Sequence, residues 1–196
     1  KNITNKNKFL KRLVFFFFKK KFADNYYKEK LSLINQWAWG DNERSNFFYD
    51  LTDLNKEHLA QTIAFITNSK IEKVLTYFDE LLSNKDLYNH LTNYLKKSPE
   101  YGTEIEFAYG RRIGWYAFVR LTKPKIIIET GVDQGVGACV LSSAILKNRD
   151  EGFDGEYIGT EINPNAGKLF QEPYNKVGKI IYQDSLKNKY KFIEYF

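Results

Sequence analysis

The chain is 196 residues long, 43% hydrophobic and 17% aromatic, with 30 basic and 24 acidic residues and a formal charge of +6. That length accommodates one domain with a sizeable core, or a domain with an appendage, and the apolar content excludes a disordered chain. A single cysteine excludes an internal disulfide, and no CxxC or His/Cys cluster points to zinc, so we expect no metal and a reducing, cytoplasmic setting.

The positive charge sits at the start. Residues 1–30 hold ten basic residues against Asp24 and Glu29, a net +8, while the other 166 hold 20 basic and 22 acidic, a net −2. The basic balance belongs to an N-terminal arm, residues 1–50. A nucleic-acid enzyme spreads positive charge around its cleft, so no nucleic-acid partner is expected. Methionine is absent and the first residue is Lys1, so the chain is not expected to start at an initiator. Within the arm, Leu13–Phe18 is an apolar run of six residues, far too short to cross a bilayer. It lacks the small-residue cleavage pattern of a secretory signal. Wound as a helix, Leu10, Leu13, Val14 and Phe17 share one face, and Lys8, Lys11, Arg12 and Lys19 lie toward the other, where Phe15 interrupts them. Two readings stay open. The helix packs on its own domain or a second subunit, or residues 8–22 lie on the anionic inner face of a membrane.

Trp37 and Trp39, in "INQWAWGDNERSNFFYD", read as an ordered, aromatic-anchored connection. Residues 51–100 read as helical. After Asp53, Leu54, His58, Leu59, Ile63 and Ile66 recur at helical spacing. Asn68 or Ser69 is expected to cap a second helix with a stripe of Ile71, Val74, Leu75, Phe78, Leu81 and Leu82. A third places Leu87, Leu91, Tyr94 and Leu95 on one face and stops before Pro99. His58 and His90 are isolated and read as surface or packing residues.

From residue 101 to 196 the texture changes. "EIEFAYGRRIGWYAFVRLTKP" reads as a helix, "KIIIE" as a fully buried parallel strand, "TGVDQGVG" as a turn and "ACVLSSAILKN" as a helix with an apolar face. "EYIGTEI" is a second strand, "NPNAGKLFQEPYNKVG" a helical segment broken at Pro173, and "KIIYQD" a third strand. Strands alternating with helices at this spacing predict a parallel sheet with helices on both faces.

The turn after the first strand is not a phosphate-binding P-loop, because Ala138 and Cys139 stand where Lys and Ser/Thr belong. A GxGxxG pattern starting at Gly135 and Gly137 fails at Val140, and the acidic residue ending the next strand, Glu161, lies 30 positions from Gly131 where about 20 is usual. A dinucleotide is disfavoured. What stands there is Glu129-x-Gly131-x-x-x-Gly135-x-Gly137, which resembles the first motif of class I S-adenosylmethionine-dependent methyltransferases. "EYIGTEI" resembles that family's second strand, whose terminal acid binds the ribose, a role that falls on Glu161. "IIYQDSL" resembles the third, where an acid and a small residue flank the adenine, here Asp184 and Ser185. The resemblance covers about residues 105–190. It implies a Rossmann-like, doubly wound α/β fold, of which the chain holds the first three strands behind a helical N-terminal region. It implies S-adenosyl-L-methionine as cofactor. The stretch "YGRRIGWYAFVRLTKPKIIIETG" resembles the members that act on small molecules and sugars and are associated with polysaccharide biosynthesis. The motif departs from the pattern in having Val132, Asp133 and Gln134 before Gly135, which lines the turn with polar side chains, and Pro173 interrupts the helix after the second strand. Because the family has seven strands, the resemblance also implies a longer protein, by roughly 60 to 100 residues, so the catalytic residues are unassigned.

The physical logic suits a ligand without phosphate. Glycines admit close backbone approach; one carboxylate engages an ammonium and another accepts two ribose hydroxyls. Each residue also has a plainer reading. Gly131, Gly135 and Gly137 make a tight turn, Glu129 or Asp184 serves as a cap, and Glu161 is a solvated strand terminus. Arg111 and Arg112 hold an anionic group or pair at the surface, and Cys139 is core. Two other functions remain open: an NAD-type oxidoreductase or epimerase, and a non-catalytic, membrane-associated scaffold protein.

Overall fold

The computed structural model describes residues 2–39, 51–95 and 107–185. The chain divides into two compact units, residues 1–47 and 48–196.

The first unit contains one long helix, α1 (Asn2–Trp39), whose 38 residues include neither Gly nor Pro. Every side chain described on it from Lys8 onward is exposed. Trp39 is 91% exposed. For residues 34–39 the expected aromatic-anchored connection is corrected: they are the last turns of α1, with Trp39 exposed, while the Trp37 side chain lies outside the described residues. The rest of that segment, 40–50, lies outside the described residues. Among the described residues no helix is long and apolar enough to cross a membrane.

The second unit runs α2 (Asp53–Ile66), α3 (Ile71–Leu82), α4 (Lys85–Leu95), α5 (Arg112–Thr122), β1 (Ile126–Thr130), α6 (Val136–Asp150), β2 (Glu156–Glu161), a 3-10 turn (Tyr174–Val177) and β3 (Gly178–Tyr182). Thr52 starts α2, its Oγ1 accepting the Asn55 N–H at 3.2 Å. Neither Asn68 nor Ser69 caps α3. Asn68 takes a left-handed conformation (φ 49°) beyond the end of α2, and α3 starts from Lys70 without a side-chain cap. The buried face of α2 is Ala60, Ile63 and Ala64, whereas Leu54, His58 and Ile66 point to solvent. Gly114 of α5 lies against Leu59 and Ile63, so the close approach of α5 selects that face. Helix α3 buries Val74, Tyr77, Phe78 and Leu81 and leaves Ile71, Leu75 and Leu82 exposed. Leu87 and Leu91 of α4 are buried as their spacing predicts.

Helix α6 is the centre of the unit. It packs on β2, α5, α4 and the 3-10 turn, and Gly137–Ile145 is buried without interruption. A one-sided apolar stripe was the expectation. Small residues (Gly137, Ala138, Cys139, Ser142, Ser143, Ala144) let neighbours close in from all sides instead.

The sheet is parallel in the order β1-β2-β3. Glu129 pairs with Gly159, Thr130 with Thr160, and Glu161 with Tyr182. This shows α/β architecture behind a helical N-terminal region. Two expectations change. Strand β1 is half-buried, because among the described residues it pairs on one side only. The connection from β2 to β3 holds no α-helix, only turns and the 3-10 turn, so this crossover lays a strap of irregular backbone on the sheet.

One charged side chain is buried deep. Arg120 on α5, 2% exposed, donates from Nε to Glu80 at 2.7 Å, from Nη2 to Glu151 at 2.5 Å and from Nη1 to Asn148. Tyr116 also donates to Glu80, at 2.5 Å. The guanidinium thus joins α3, α5 and the end of α6, every charge being met by hydrogen bonds.

Candidate functional site at the ends of the parallel strands

Two carboxylates mark the carboxyl edge of the sheet. In a parallel pair, residues two apart share a face, so Tyr157, Gly159 and Glu161 line one face of β2. Glu129, opposite Gly159, joins them from β1. Glycine at 159 leaves a gap that the Tyr157 hydroxyl enters; a Cβ there would stand 2.7 Å from that hydroxyl and from Val132 Cγ2. Through the gap Tyr157 donates to Glu129 Oε2 at 2.5 Å.

Glu129 stands against the first turn of α6. Any side-chain carbon at Gly137 would overlap its carboxylate and come within 3.2 Å of Trp115 Cζ3. Burial pushes the Glu129 carboxyl above its usual value, although the Tyr157 hydrogen bond and the positive charge of Arg112 oppose the shift. Trp115, 45% exposed, carries Arg112 over its ring at 5.9 Å. An acid, a phenol, an indole and a guanidinium therefore gather from β1, β2 and α5 at the head of α6.

The glycine-rich turn lies beside them. Gly131 is exposed at φ 78°, with open space where a Cβ would stand, and its N–H donates to Thr160 O at 2.9 Å. Val132 is buried, so the turn is less polar than its sequence suggests. Asp133 is left-handed (φ 49°), a strained conformation for a residue with a side chain. Glu161 holds that conformation: its Oε2 accepts the Asp133 N–H at 2.9 Å, and its Oε1 accepts those of Ile162 and Asn163 at 2.8 and 3.0 Å. These N–H groups, Asn163's first and Asp133's next, hold its carboxyl below the usual value. A carboxylate has about four acceptor positions, and Glu161 spends most of them on its own backbone. It is a staple across the turn, not a merely solvated terminus.

The strap after β2 closes over the turn's other side. Gly167 and Leu169 donate to Asp133 O and Gln134 O at 2.6 and 3.0 Å. Phe170 N lies 3.2 Å from where a Gly135 Cβ would be. Leu169 O accepts from Cys139 Sγ at 3.2 Å and His90 Nε2 at 2.7 Å. Since a carbonyl only accepts, Nε2 carries the proton. His90 is a packing residue and Cys139 is core, as their surroundings in the sequence indicate, and His58 is exposed.

Of the residues singled out from sequence, Glu129, Gly131, Gly135, Gly137 and Glu161 surround one turn. Asp184 and Ser185 follow β3, half-buried, two and three residues beyond Tyr182, the partner of Glu161. Arg111 is exposed. Sequence reasoning missed Trp115, Tyr157 and Gly159. The alternation Tyr157, Gly159, Glu161 carried a signal for two of them, whereas nothing local distinguished Trp115. Among the described residues no three His, Cys, Asp or Glu side chains could hold a metal. Compared with known proteins, the chain matches no family model, no curated protein and no solved structure.

Proposed function

We propose that this chain is the adenosine-binding part of an S-adenosylmethionine-dependent methyltransferase of Rossmann-like fold. In this reading it serves a small-molecule or saccharide acceptor in the cytoplasm. The observation that carries the reading is the pair of carboxylates, Glu129 and Glu161, on one face of a parallel sheet, separated by a glycine turn with open space at Gly131. The helix head favours a cation over a phosphate. A dinucleotide places its pyrophosphate at such a helix N-terminus; here the Glu129 carboxylate is packed against Gly137 in the first turn, and the strap covers Gly135. An acid in that place repels phosphate and attracts the ammonium of a methionyl group, and Arg112, whose charge acts on Glu129, would meet its carboxylate.

Glu161 would take the ribose with the acceptor capacity its backbone bonds leave, and Asp184 and Ser185 would border the adenine. Bound S-adenosylmethionine would supply an electrophilic methyl on sulfur, open to in-line displacement by an acceptor oxygen or nitrogen. The chain's own contribution is to hold the ammonium at Glu129 and to fix the turn.

The test is calorimetric titration with S-adenosylmethionine, S-adenosylhomocysteine and NAD, repeated on Glu161→Ala. Micromolar binding of the first two, lost in the variant, is the expected result. Binding of NAD with indifference to both sulfur compounds would make the protein an oxidoreductase or epimerase instead.

A further inference from the structure

We propose that α1 is an anionic-membrane anchor, a property independent of the methyltransferase reading. The argument rests on how its apolar residues are arranged. Successive helical residues turn by about 100°, so the six residues Leu13–Phe18 cover the whole circumference over about 9 Å of helix. Phe15 and Phe18 project away from the side that Leu13 and Phe17 occupy, yet all four phenylalanines, Phe15 to Phe18, are 52–69% exposed. A flat protein surface covers one side of a helix; the boundary between lipid headgroups and acyl chains takes it in by about 5–10 Å, most of a helix's width. The run is flanked by Lys8, Lys11 and Arg12 on one end and Lys19, Lys20 and Lys21 on the other, and α1 carries acids only at Asp24 and Glu29. The long lysine and arginine stems let the charges rise to the headgroups while the rings sink. A second copy would bring another +8 against the first, whereas phosphatidylglycerol or phosphatidylserine complements that charge. The helix is not apolar enough to cross the bilayer, so it lies in the interface.

The experiment is co-sedimentation of the full chain with vesicles of phosphatidylcholine alone or mixed with phosphatidylglycerol, at low and high salt. The expected partition is at least about tenfold stronger onto the anionic vesicles and is weakened by salt. Replacing the four phenylalanines (Phe15→Ser, Phe16→Ser, Phe17→Ser, Phe18→Ser) leaves the charge unchanged and removes no buried contact, and should abolish binding. Lys19→Gln, Lys20→Gln and Lys21→Gln together should weaken it by about a hundredfold. Equal binding by wild type and the phenylalanine variant, or no preference for anionic vesicles, overturns the proposal. So does a dimer in solution that the phenylalanine variant converts to monomer, which would make a second copy the occupant. Tighter binding to single-stranded RNA than to the anionic vesicles overturns it too.

Discussion

Glu129 is the residue whose cost and use are most directly separable. Burial raises its carboxyl above the ordinary 4.5, so the folded state favours the protonated form. The stability this contributes is complete below the ordinary value and is lost as pH rises through the folded value. Glu129→Gln keeps an acceptor for Tyr157 and carries no charge. It should raise the melting temperature near neutral pH, by a margin that vanishes in acid, as thermal unfolding across pH would show. A variant less stable at every pH would mean that the ionised carboxylate is itself structural. The same ionisation ties ligand affinity to pH: a cation bound at Glu129 binds more tightly as pH rises, which calorimetry at several pH values reads directly. The glycines separate in the same way. Gly131→Ala meets open space and should cost only the strain of its positive φ, about 1 kcal/mol. Gly137→Ala must move Glu129 or Trp115 and should cost about 2–3 kcal/mol in urea unfolding.

Among elements, the joint between α3, α5 and α6 is held by one guanidinium. Removing it leaves Glu80 with only the Tyr116 hydroxyl and Glu151 with only Lys123. The usual cost of breaking a buried pair is about 3–5 kcal/mol. Both acids stand partly in water, so Arg120→Met should cost about 3 kcal/mol, and Glu80→Gln added to it should recover part of that in a double-mutant cycle. Acid acts on the same joint. Hydrogen bonds from Arg120 and Lys123 hold the Glu151 carboxyl down to about 2. For Glu80, burial pushes the carboxyl up, but the bonds from Arg120 and Tyr116 outweigh it and leave the value below 4.5. Both contributions are present above 4.5; that of Glu151 is lost as pH falls toward about 2, and that of Glu80 as pH falls through its own lowered value. Because Glu151 is the more exposed of the two acids, its part should shrink further in high salt, a difference visible in acid unfolding with and without salt.

For the whole molecule, a ligand that binds only the folded state stabilises it by mass action. At a hundredfold excess over its dissociation constant, S-adenosylmethionine should add about 2.7 kcal/mol. For a unit of this size that raises the melting temperature by roughly 5–10 °C. NAD should leave it unchanged. Scanning calorimetry decides between them, and a shift with NAD alone would sink the methyltransferase reading.

What the sequence by itself determined is what local chemistry controls. The alternation of strand and helix follows from hydrophobic period and turn residues, and the positions of Glu129, Glu161 and the three glycines follow from where strands stop and helices start. These depend on neighbours a few residues away and were legible at once. The tertiary structure alone decided which face of α2 is buried, because Ala60 and Ala64 count as core only once Gly114 of α5 lies close. It decided that α6 is enclosed on all sides and that an irregular strap replaces the helix between β2 and β3, where backbone bonds to Asp133 and Gln134 hold the chain. It decided that Glu161 is engaged by its own backbone, that Arg120 carries a buried network, and that Tyr157 reaches Glu129 across an empty glycine. The bonds from Asp133 to Glu161, from Arg120 to Glu151 and from Tyr157 to Glu129 join residues 28 or more apart along the chain. Such meetings depend on strand register and helix rotation, quantities set by packing the whole unit.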